Sequence, residues 1–146
     1  MAGAVTNAAA TQTTACAFVP AIALTCTGVR FYGFSGSSYK VSLWSGGVRL
    51  QTITTGALGS SGVTIASFSS GQVLTPYVRY YVSVWEVTGT NYLQAHQSNS
   101  IFTTNYLANP NVWIVGNDWY YYPGDGAPNG QAGVGYDCYP VEPVLA

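Results

Sequence analysis

The stretch YKVSLWSGGVRLQTIT, residues 39–54, decides the fold class. Under a two-residue period Tyr39, Val41 and Leu43 share one face, while Lys40 and Ser42 take the other, as in a half-buried strand. Ser45-Gly46-Gly47 then supplies the positive φ values that a tight hairpin needs, so residues 48–54 are expected to return antiparallel. Outward from the hairpin, Gly28-Val29-Arg30-Phe31-Tyr32 places Val29 and Phe31 on one face. Beyond it, Pro76 precedes the strongest strand, in which Val78, Tyr80, Val82 and Val84 alternate with Arg79, Tyr81, Ser83 and Trp85. Between these, Val63, Ile65 and, after a local irregularity, Phe68 are expected in the core. Tyr92 to His96 and a closing run from Gly135 to Val141 complete the set, with Pro140 and Pro143 confining the last run to an edge or a strand terminus. Short strands punctuated by Gly and Ser specify an all-β chain, an antiparallel jelly-roll-like β-sandwich of about eight strands.

Residues 1–24 differ. They are rich in Ala and Thr and show neither a helical period nor a long alternation. They read as an extended N-terminal arm, with the sandwich domain spanning 25–146.

Composition narrows the function. Of 146 residues only Arg30, Lys40, Arg49, Arg79, Glu86, Asp118, Asp125, Asp137 and Glu142 carry formal charge, 6% of the chain with a net charge of −1. Soluble domains average about 25% charged residues. Four scattered cations do not make the basic face that phosphate neutralisation requires, so nucleic acid is not an expected partner. The weakly polar run Ala15 to Leu24 is about half of the roughly 20 residues a membrane helix needs and contains Pro20, so no membrane partner is expected. The N-terminus lacks the basic and apolar regions of a secretory signal.

Catalytic material is scarce. His96 is the single histidine, and it has no orienting partner and no G-x-S-x-G elbow nearby, so it reads as a surface or loop residue. Cys16, Cys26 and Cys138 form an odd set without metal-ligand spacing and read as small buried thiols, with a Cys16 to Cys26 bridge as the alternative. Cys138 beside Asp137 lacks the electropositive setting of a nucleophilic thiolate. Asp118, Asp125 and Asn129 offer oxygen ligands for calcium, but Asp in a Gly-rich turn is also ordinary turn chemistry, the preferred reading. No cofactor is expected. Trp85, Trp113, Trp119 and Tyr121 are the candidate binding residues, either as planes for stacking sugars or as aromatic anchors of a protein interface.

The order of Thr27 to Tyr32, then Tyr39 to Ser45 with its Gly-Gly turn and Leu50, then Val73 to Val84, and last Tyr136 to Val141 resembles an uncharacterised family of jelly-roll sandwich domains. That family is found in bacterial surface and carbohydrate-associated proteins and in phage virion proteins. Pro140 and Pro143 depart from its closing strand. The resemblance implies a binding or structural role without a catalytic centre. Because the chain starts at Met and reads as arm plus domain, it looks most like a phage capsid decoration protein. It would be made in the host cytoplasm and placed on the outer capsid surface as a homotrimer bound to the major capsid protein. A carbohydrate-binding or host-surface-binding module of a tail fibre or adhesin is the alternative.

Overall fold

The computed structural model describes residues 5–8, 12–87, 92–95, 110–114, 120–131 and 141–146. The described residues form no helix. Their strands are β1 (Val5–Ala8), β2 (Thr13–Pro20), β3 (Leu24–Gly33), β4 (Tyr39–Ser45), β5 (Val48–Thr54), β6 (Gly62–Leu74), β7 (Tyr80–Glu86), β8 (Tyr92–Ala95), β9 (Val112–Ile114), β10 (Tyr120–Tyr122), β11 (Gly130–Gln131) and β12 (Val141–Leu145).

Two antiparallel sheets make up the body of a β-sandwich. The larger runs β2-β7-β4-β5, and β2 is flanked on its other side by β10 along one half and β9 along the other, with β11 beyond β10. The smaller runs β12-β3-β6, and β1 pairs with β8 as a separate ribbon.

The β4–β5 hairpin forms as its residues dictate. Gly46 and Gly47 both have positive φ, 55° and 81°, between the paired Ser45 and Val48, the conformation a two-residue hairpin loop requires. Inward from this sheet point Phe18, Cys16, Tyr80, Val82, Val84, Tyr39, Val41 and Leu43, which meet Val29, Phe31, Cys26, Ala66, Phe68, Leu74 and Val141 of the smaller sheet. Burying each large aliphatic or aromatic side chain stabilises the fold by about 1.5–3 kcal/mol.

Two central strands open in the same way. Tyr39 and Tyr80 bury their rings, against Phe31 at 5.1 Å and Phe18 at 6.0 Å. The hydroxyl of each accepts the backbone N–H five residues upstream, Phe34 to Tyr39 and Thr75 to Tyr80, both at 2.9 Å. Each ring thus anchors the core while its polar tip closes the preceding turn.

Three expectations are corrected. Residues 13–20 are not part of an arm: β2 is an interior strand with Ala15, Cys16, Ala17 and Phe18 wholly buried, so the boundary at residue 24 cuts through the sandwich. A strand covered on both faces shows no alternation, and β2 spends small residues where neighbours press closely. Second, Val63 and Ile65 lie outside the core, 56% and 57% exposed, while Phe68 is buried as expected. Pairing with β3 settles this, because Val29 and Phe31 face inward opposite Ala66 and Thr64, which turns Val63 and Ile65 outward. The register then slips between Cys26 and Gly28. At Gly28 a Cβ would lie 2.4 Å from the Ala66 carbonyl oxygen, so only glycine lets β6 approach there. Third, the closing strand seen is β12, which begins at Val141 where the expected run ends, and it lies at the edge of the smaller sheet with Pro143 within it. Residues 135–140 lie outside the described residues.

Candidate functional site

The outer face of the larger sheet carries the polar and aromatic residues that alternation sends away from the core. By register, Thr13, Trp85 and Lys40 form one row, Ala15, Ser83 and Ser42 the next, and Ala17, Tyr81 and Trp44 the third. Ser42 and Ser83 were expected to be exposed, yet both are 2% exposed. Their hydroxyls are matched: Ser42 shares a hydrogen bond with Thr52 at 3.1 Å, and Ser83 accepts one from the Trp44 indole at 2.8 Å.

A strap following β10 crosses this face. The Thr13 hydroxyl donates to the carbonyl of Gly124, and Asp125 next to it contacts two cations. Its Oδ2 lies 2.7 Å from Lys40 Nζ and its Oδ1 accepts from Arg49 Nη2. Arg49 in turn lies over the Trp44 ring, 4.3 Å from the centroid, a cation–π contact. The Asp125 carboxylate, weighed above as a calcium ligand or a turn residue, is therefore a tether between loop and sheet. Asp118 lies outside the described residues.

Of the four aromatic candidates, the backbones of Tyr121 and Trp113 are held at opposite ends of β2. Trp85 is half-buried on β7, and its Nε1 is enclosed with no acceptor among the described residues. Tyr121 pairs through its backbone with Thr14 and Trp113 with Val19. Five residues of β2 separate those positions, about 17 Å along an extended strand. Trp119, His96 and Cys138 lie outside the described residues. Cys16 and Cys26 are buried and unbridged. Burial pushes the Cys26 thiol up to about 11, against a smaller opposing effect of its hydrogen bond to Gly28, and raises Cys16 further. Both are inert at neutral pH.

A second surface, absent from the sequence candidates, is the outer face of the smaller sheet. Val63 and Ile65 of β6 pair with Tyr32 and Arg30 of β3, and Arg30 pairs with Glu142 of β12. Val73 on the same strand is 65% exposed. The charges on this face cancel locally: Arg30 Nη2 sits 3.2 Å from Glu142 Oε2, with the Glu142 side chain only 4% exposed. Desolvation raises the Glu142 carboxyl to about 7, with Arg30 pulling the other way. The result is a face of exposed aliphatics and Ser67 beside one largely buried Arg30–Glu142 contact. Val63 and Ile65 lie two residues apart on this face, and Val73 follows further along the strand beyond the exposed Ser67 and Ser69.

No family model, no curated protein and no solved structure matches this chain.

Proposed function

We propose that the protein is a structural subunit that works by binding rather than by catalysis, and specifically a decoration protein on the outer surface of a phage capsid. The observation that supports this most is the neutral outer face of the smaller sheet, with Val63, Ile65 and Val73 exposed. Burial of such a face against a partner gains hydrophobic free energy without stripping water from unpaired charges. The scarcity of charge over the whole chain works in the same direction, since few ions must be desolvated on assembly. Bound subunits would then oppose shell expansion by mass action, stabilising the state to which they bind. The test is co-sedimentation of the purified protein with expanded phage capsids. Binding that saturates, and that Ile65→Lys abolishes while the melting temperature holds, is the expected result. No binding above background overturns the reading.

A glycan-binding role would rest on Trp85, half-buried on the outer face of β7 beside Thr13 and Lys40. Binding on a glycan array, lost in Trp85→Ala, distinguishes it from the capsid role.

A further inference from the structure

The strand β6 ends the smaller sheet, and among the described residues no second strand pairs with it on the side away from β3; only its own Thr64 and Gln72 side chains bond to carbonyls of the strand, those of Gly62 and Val73. Proteins defend such edges with charges, prolines or bulges, because a bare row of N–H and C=O groups templates pairing with another chain. Two other long edges are defended. At the opposite side of the same sheet β12 carries Glu142 and Pro143, the latter without an N–H to donate. On the larger sheet β5 carries Arg49. In contrast, β6 is 13 residues long and holds neither a charge nor a proline. Its bulge lies beyond Ser67, so the segment from Gly62 to Ser67, in continuous register with β3, is straight and bare.

We infer that two copies of this chain join edge to edge through β6, antiparallel, about a two-fold axis at Thr64. This extends the assembly reading above, and rests on it in taking the smaller sheet as the contact surface. Residues directly opposite in an antiparallel pair project to the same face. An axis at Thr64 therefore sets Val63 beside the partner's Ile65 and Ile65 beside the partner's Val63. A shift of the axis to Ile65 sets Val63 against the partner's Ser67 and keeps one apolar pair, Ile65 with the partner's Ile65, in place of two. The two smaller sheets become one continuous sheet. No like charges meet at the seam, because Arg30 is already paired with Glu142 within its own copy. A head-to-tail ring would need β6 to pair with β12 of the next copy, where Pro143 withholds a donor. The contact is thus isologous and closes at two copies.

The test uses the full chain. Sedimentation velocity and light scattering across a concentration series are expected to show a transition to twice the monomer mass. Ile65→Lys, which sets two cations against the apolar pairs, is expected to leave the monomer alone, with the β-sheet spectrum and melting temperature kept because Ile65 is 57% exposed. With Cys138→Ser as background, Thr64→Cys is expected to form an intermolecular disulfide under mild oxidation, whereas Ser70→Cys, beyond the straight segment, does not. A monomer at every concentration, a trimer mass, a dimer indifferent to Ile65→Lys, or equal cross-linking at positions 64 and 70 overturns the inference. A strictly monomeric chain that still binds capsids defeats this pairing and leaves the proposed function standing. A dimer with the Thr64 cross-link that binds no capsid does the reverse.

Discussion

The Trp44 indole N–H donates to the Ser83 hydroxyl at 2.8 Å across neighbouring strands of the larger sheet, with both residues buried. The bond ties β4 to β7 through side chains on the face that alternation alone assigns to solvent. Ser83→Ala removes the acceptor and leaves a buried N–H unmatched, a loss of about 1–3 kcal/mol. Urea denaturation is expected to show it as a lower midpoint with an unchanged slope. A midpoint equal to that of the parent protein would mean that water replaces the hydroxyl.

Glu142 makes stability depend on pH in an unusual direction for a carboxylate. Burial raises its folded value to about 7 from an ordinary 4.5, so between these values the folded chain holds a proton that the unfolded chain releases. Stability is therefore greatest below about pH 4.5 as far as this group is concerned, and falls as pH rises to about 7, by on the order of 1–3 kcal/mol. Comparing urea midpoints at pH 5 and pH 8 checks this. Glu142→Gln is expected to remove most of the difference, and an identical difference in both proteins refutes the assignment.

Tyr77 sits at φ 64°, third in a turn from Thr75 to Val78 whose ends are joined by the Val78 N–H to the Thr75 carbonyl at 3.4 Å. Left-handed backbone costs a bulky residue about 1–2 kcal/mol, and glycine escapes that cost but loses about 0.4–1 kcal/mol through a freer unfolded chain. The balance favours glycine, because the Tyr77 side chain is 72% exposed and gives up little burial. Tyr77→Gly is expected to raise the melting temperature by a few degrees. A decrease on calorimetry would show that the ring contributes more than its exposure suggests.

Deleting residues 2–20 removes β2, which pairs with β7, β9 and β10 and supplies Cys16 and Phe18 to the core. Such a protein is expected to lose its cooperative thermal transition altogether. A β-sheet spectrum with a normal transition would return these residues to the status of an arm.

The parts of the fold legible in the sequence are those with one wet and one dry face. Tyr39, Val41 and Leu43 are all buried, and Gly46-Gly47 forms the turn that their types require. Alternation gave no warning at β2, where Thr13 to Phe18 are buried on both sides. At β6 it distinguished two faces without saying which was inward, and only the pairing of Phe31 with Thr64 decides that. The site was less legible for a different reason. Asp125 meets Lys40 across 85 positions of sequence, and no local pattern encodes such a contact. Trp85 lies on the outer face as its parity implies, but its enclosure depends on neighbours far along the chain. Val63 and Ile65, read as core, are instead exposed on the outer face of the smaller sheet, because apolar character alone does not say which side of a strand is covered.

The pairing of Arg30 with Glu142 also has a temporal meaning. The central strand of the smaller sheet waits for a neighbour more than a hundred positions later, and β2 waits almost as long for β9 and β10. During synthesis these two strands therefore gain their earlier partners, β6 and β7, long before their second ones. Contacts of such long range make folding slow. Until those late residues arrive, β3 and β2 each keep one open edge in an unfinished protein, the kind of exposed strand that favours association between nascent chains.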